Sequence, residues 1–134
     1  MGNGRLPEHL RASLTGADED MLVLLEELPA TVTYRRFRAY GAYYWWKEEW
    51  VKGAVAITDQ RLVVWAGGVL HIRTPHADPL RGTIVVTAEF PDRVCFSYHA
   101  GVTNPSITGH AEVRLRTSQA AHITGLLNRL AARD

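Results

Sequence analysis

Hydrophobic and polar positions along the chain change period twice, near Ala30 and near Ser118. Before Ala30 the spacing is helical. Pro7 suits a first helical turn and leads into Glu8-His9-Leu10-Arg11-Ala12-Ser13-Leu14 before Thr15-Gly16 breaks the run. Asp18, Glu19 and Asp20 then stand where acids favour a helix start. Met21, Leu24, Leu25 and Leu28 recur at helical spacing, and Pro29 disfavours helix at Leu28. Residues 1–29 are therefore expected to form an N-terminal helical segment.

Between the two changes the pattern predicts strands. Thr31–Arg38 is rich in β-branched and aromatic residues. Val51, Gly53, Val55 and Ile57 alternate with Ala54 and Ala56, Thr58-Asp59-Gln60 makes a turn, and Arg61–Trp65 runs apolar to Gly67-Gly68. Leu70 and Ile72 are expected on one face, His71 and Arg73 on the other. Ile84, Val86, Ala88 and Phe90 are expected to point inward, as are Val94, Phe96 and Tyr98 and, after a loop over 101–109, Ala111, Val113 and Leu115. The last segment returns to helical spacing, with Ile123, Leu126, Leu127 and Leu130 on one face and Ser118 as the expected N-cap.

Short connections exclude a parallel α/β sheet. The prediction is a mainly β chain with a C-terminal helix: a seven-stranded antiparallel half-open barrel over 30–134, capped by that helix and preceded by short N-terminal helices.

Composition changes this picture little. The 134 residues suit one domain with its own core. A single cysteine, Cys95, permits no internal disulfide, which fits a reducing compartment. The first residues lack the apolar stretch of a secretory signal, and no apolar run approaches the ~20 residues that span a bilayer. The expected location is the cytoplasm, with a membrane-peripheral position as the alternative. Charge is uneven: residues 1–30 carry two basic and six acidic groups, and the remainder thirteen and eight, or −4 against +5.

Gly53-Ala54-Val55-Ala56-Ile57-Thr58-Asp59-Gln60-Arg61-Leu62-Val63-Val64 resembles the second hairpin of bacterial pleckstrin-homology-like (PH-like) and GRAM-type domains, and Leu70–Pro75 and the closing helix follow in the order of that family. The resemblance implies a seven-stranded barrel capped by a helix, a module that binds lipid or protein, and no catalytic residues. The basic pattern of phosphoinositide-binding pleckstrin domains is absent: Arg36 and Arg38 lie on the first strand, while Lys47 and Lys52 on the second are separated by Glu48 and Glu49.

The most unusual stretch is Tyr34–Lys52, with four of the five tyrosines and three of the four tryptophans. Aromatic rings with basic neighbours suit protein interfaces, membrane interfaces and base stacking. The candidate binding surface is Arg35, Arg36, Arg38, Tyr43, Tyr44, Trp45, Trp46, Trp50 and Lys52. Regular pleating sends Trp46 and Trp50 to the outer face with Ala54 and Ala56, a surface that residues 17–28 are expected to cover. The alternative pocket is His71, Arg73, His76 and Asp78, the basis of a small carrier or enzyme. None of the six histidines shows a strong ligand spacing, Cys95 has no nearby activating base, and adjacent Glu48 and Glu49 point to opposite faces of a strand. The sequence thus points to a non-enzymatic binding or assembly module with no catalytic residue, metal or cofactor. A protein partner or homo-oligomer is expected, peripheral membrane contact is the alternative, and nucleic acid is not expected.

Overall fold

A computed structural model describes residues 4–16, 18–39, 41–99 and 107–131. A short helix α1 (Glu8–Ser13) precedes strands β1 (Met21–Ala39), β2 (Ala42–Thr58), β3 (Arg61–Ala66) and β4 (Val69–Pro75). After a 3-10 turn (Pro79–Thr83) come β5 (Val85–Glu89), β6 (Arg93–His99), β7 (Thr108–Arg116) and helix α2 (Ala120–Ala131). The seven strands form one antiparallel sheet in the order β4-β3-β2-β1-β7-β6-β5, curled into a half-barrel. Most of the loop expected over 101–109 lies outside the described residues, and β7 begins within its last part.

The sheet has two apolar faces. Its concave face holds the main core, including Val32, Val55, Ile57, Val64, Phe96, Val113 and Leu115, closed by Ile123, Leu127 and Leu130 of α2. Its other face carries a smaller cluster in which Leu6, Leu10 and Leu14 cover Ala54, Ala56 and Val63. Small alanines leave room for a helix to lie close. Fully burying each leucine contributes roughly 1.5–3 kcal/mol.

Residues 21–28 are strand, not helix. Met-Leu-Val-Leu-Leu is apolar on both faces: Val23 and Leu25 pack with the main core and Met21 with the α1 cluster. A run apolar at every position carries no period that separates strand from helix. Asp18, Glu19 and Asp20, expected to start a helix, precede β1, and Glu26 and Glu27 sit at a β-bulge within it. Between Leu25↔Val55 and Leu28↔Gly53 the register slips by one residue, and Glu27 takes φ 61°. The bulge aims Glu26 at α1, where its carboxylate accepts from the Leu6 N–H at 2.8 Å and pairs with Arg11. Partial burial opposes its ionisation, but Arg11 and the Leu6 N–H hold the Glu26 carboxyl below the usual range. Pro29 sits within β1 opposite Lys52, one residue before β1 begins to pair with β7 at Ala30↔Leu115.

The remaining pattern follows expectation, with three departures. The Thr58 Oγ1 accepts from the Gln60 and Arg61 N–H groups at 3.1 and 3.0 Å, the local bonding expected of a turn threonine, and Arg61 pairs with Glu19 at 3.0 Å. Gly53 lets β2 cross close to its neighbours, because a Cβ there would stand 2.6 Å from the Trp65 carbonyl oxygen and 2.8 Å from Leu115. Leu70 and Ile72 do not share a face. The β3–β4 register slips between Val64↔Ile72 and Trp65↔Leu70, turning Leu70 toward α1 and placing Ile72 in the core. Phe90 is 94% exposed because it falls in the β5–β6 turn, where strand parity ends, and Ala88, within β5 opposite Val94, is exposed as well. The Gln119 N–H donates to Thr117 Oγ1, and α2 begins at Ala120, two residues after the expected cap at Ser118.

Candidate functional site

The nine candidate surface residues all lie on the β1–β2 hairpin, whose register is constant from Leu28↔Gly53 to Ala39↔Ala42. Tyr40, at its turn, lies outside the described residues. β1 is flanked from Ala30, with β7 pairing from Ala30↔Leu115 as far as Arg38↔Thr108. β2 is not. Its ladder with β3 runs only from Gly53↔Ala66 to Ile57↔Leu62, extended by one bond from the Gly67 N–H to the Lys52 carbonyl. Among the described residues, Ala42–Val51 therefore has a strand on one side only.

The aromatic residues divide into two groups. At the hairpin end Arg36 lies over the Trp45 ring at 5.0 Å, Arg38 over Tyr43 at 5.3 Å and the Lys47 ammonium over Tyr44 at 4.4 Å. The rings of Tyr34 and Phe37 meet at 4.6 Å, and Phe37 stacks near Tyr44 at 6.4 Å. Arg36 takes φ 51°, and the β1–β7 register slips between Arg35 and Arg38, where a Cβ on Gly109 would stand 2.5 Å from the Arg36 carbonyl oxygen. Trp45 and Trp46 are adjacent on β2 and both face solvent, where the hairpin extends beyond β3. Arg35 turns to Glu112 at 3.5 Å instead of joining the ring contacts.

The second group stands further down β2. Trp50 pairs with Thr31, itself opposite Arg114, and Lys52 pairs with Pro29. These residues border a groove of about 960 Å³ across β2, β1 and β7 to the Pro91-Asp92-Arg93 turn. Arg116 and Glu27 also line it. Arg116 is held by Asp92 at 3.1 Å, and Arg114 by Glu89 at 3.0 Å and Glu112 at 3.3 Å. Trp50 is 82% exposed, Trp45 66%, Trp46 56% and Tyr43 49%. The N-terminal segment does not cover these rings. It pairs as strand with the far end of β2, Met21 opposite Thr58, and α1 covers Ala54 and Ala56, with Trp65 beside them, but not Trp45, Trp46 or Trp50.

The alternative pocket does not assemble. His71 is buried with its Nδ1 2.7 Å from the Tyr98 hydroxyl, and burial pushes its pKa down to about 4. His76 is buried with Nε2 2.9 Å from the Thr58 carbonyl oxygen, and burial lowers its pKa too. Arg73 is exposed, and Asp78 accepts the Leu80 N–H in the 3-10 turn. Among the described residues no three His, Cys, Asp or Glu side chains converge on a common point. Cys95 is buried on the outer side of β6, where burial pushes its thiol up to about 11 against the pull of Arg114. Such a thiol stays protonated and unreactive near neutral pH.

Sequence reasoning missed Arg93, Arg114, Arg116 and the 90–92 turn as parts of the surface that holds Trp50 and Lys52. Their outward parity was legible. Their adjacency depends on β1 standing between β2 and β7, which local spacing does not specify. Among the described residues no helix is long and apolar enough to cross a membrane. Comparison with protein-family models, curated proteins and solved structures yields no match.

Proposed function

We propose that this chain is a non-enzymatic, PH-like binding module that takes a protein partner, another protein or a second copy, along the unflanked stretch of β2. The observation that carries the reading is the coincidence of an open strand side at Ala42–Val51 with four exposed rings, Tyr43, Trp45, Trp46 and Trp50. Large aromatics bury ~150–250 Å² each when covered. At their observed exposures the four offer on the order of 500 Å², more than half of one side of a standard protein interface. Open strand sides attract additional strands, and proteins commonly blunt them with charge or proline. Ala42-Tyr43-Tyr44-Trp45-Trp46 carries neither, whereas Lys47-Glu48-Glu49 restores charge just beyond it. The PH-like part of the proposal is supported by the seven-strand order and the C-terminal helix, which agree with what the hairpin resemblance implies.

The arginines over Tyr43 and Trp45 favour a second reading, an interfacial membrane anchor, in which rings and cations sit together at headgroup level. One experiment separates the two. A photo-crosslinking amino acid is placed at Trp46 or, as a control, at Asn128 of α2, and the protein is irradiated in cells. The adduct formed only from position 46 is identified, and its binding to the purified chain is measured with and without Trp46→Ser. A discrete protein adduct whose binding needs Trp46 supports the proposal. Lipid adducts alone, with a blue shift of tryptophan emission on anionic vesicles, support the membrane reading. Equal labelling from both positions contradicts both readings.

A further inference from the structure

The groove beside Trp50 has a character the hairpin end lacks. Of its charged residues, Arg116 is engaged by Asp92 and Arg114 by Glu89 and Glu112. Lys52 and Arg93 have no ion-pair partner among the described residues. They stand at opposite ends of one outer-face row: Lys52 opposite Pro29 on β1, and Arg93 opposite Arg116 on β7. The row is bordered on the β2 side by the exposed ring of Trp50.

We infer that this groove binds an extended acidic segment of a partner protein, crossing the strands with one carboxylate on Lys52 and a second on Arg93. The inference rests on the proposed protein-binding role and specifies the chemistry of the partner. From β2 through β1 and β7 to β6 are three inter-strand steps of about 4.8 Å each, or roughly 14 Å. An extended chain rising about 3.4 Å per residue covers that distance in about four residues. The two carboxylates therefore belong at i and i+4, on the same side of the segment, since side chains alternate. The residue at i+2 faces the groove with them, and an apolar side chain there lies between the two cations. A polynucleotide fits less well. Its phosphates bring a charge with every nucleotide to a groove with only two cations lacking an ion-pair partner among the described residues.

The test uses a fluorescein-labelled peptide, Ser-Glu-Ser-Val-Ser-Glu-Ser, read by anisotropy against the whole chain. Controls are the same peptide with glutamine for glutamate, one with adjacent glutamates, and a ten-residue oligothymidylate. Saturable binding of the first peptide is expected, at least tenfold weaker for the glutamine and adjacent-glutamate versions. Lys52→Gln and Arg93→Gln should each weaken it severalfold and together at least tenfold, and Trp50→Ala should weaken it without altering secondary structure. Affinity should fall as salt rises. Equal binding of the glutamine peptide, indifference to both cation substitutions, or tighter binding of oligothymidylate would overturn the inference. A partner that crosslinks at position 46 and depends on Trp46, yet is indifferent to Lys52→Gln with Arg93→Gln, overturns the inference and leaves the proposed function standing. Loss of the crosslink result with retained peptide binding does the reverse.

Discussion

Acidification should destabilise this protein through His71 before most carboxylates are protonated. The His71 ring is enclosed by the half-barrel, with Nδ1 2.7 Å from the Tyr98 hydroxyl and the rings of Tyr98 and Tyr34 at 6.1 and 6.4 Å. Burial there disfavours the imidazolium and pushes the folded-state pKa down to about 4, from 6.5. Between those values the unfolded chain binds a proton at His71 that the folded chain does not. Stability therefore rises with pH across that window and falls on acidification from about pH 6.5 to about pH 4. A separation of about 2.5 pH units at 1.36 kcal/mol each is roughly 3 kcal/mol, a large part of the 5–15 kcal/mol of a typical domain. Urea unfolding at pH 7.5, 6.5, 5.5 and 4.5, for the native chain and for His71→Gln, isolates this contribution, because the other titrating groups are common to both. The native chain should lose roughly 3 kcal/mol more than the variant over the window. Parallel stability curves for the two proteins would refute a buried, neutral His71.

Leu14→Ala should cost about 2–5 kcal/mol, since Leu14 is fully buried over Ala54, Ala56 and Val63, and the melting temperature should fall by about 4 °C per kcal/mol; an unchanged melt would mean that α1 does not cover that face. Leu127→Ala on α2, also fully buried, should cost a similar amount, and unchanged stability would contradict the helix cap. Gly53→Ala should destabilise by about 1–3 kcal/mol, because the added methyl meets the Trp65 carbonyl and Leu115; a stabilised variant would show that β2 does not approach its neighbours so closely.

The strands from β2 onward were legible because most bury one face: Val94, Phe96 and Tyr98, and then Ala111, Val113 and Leu115, alternate as a half-buried strand must. The first half of β1 was not legible for the opposite reason. It is apolar at every position from Met21 to Leu25 although Leu22 and Leu24 are exposed, so the run has no period, and Pro29, read locally as a helix stop, is tolerated where β1 lacks a β7 partner. The aromatic surface could be named from composition, and the outward parity of Trp46 and Trp50 from pleating. Its division into a hairpin end and a groove could not, because the first depends on the positive φ of Arg36 and the second on which strand stands between β2 and β7.

The central claim is that the unflanked stretch of β2 is where a partner docks. Amide hydrogen exchange, followed by mass spectrometry on the free chain and on its complex with the protein captured at position 46, tests it most directly. The account predicts that protection on binding concentrates in peptides covering 42–52, with little change in β4 or α2. Protection confined to β4, β5 or α2, with 42–52 exchanging as in the free chain, would contradict it.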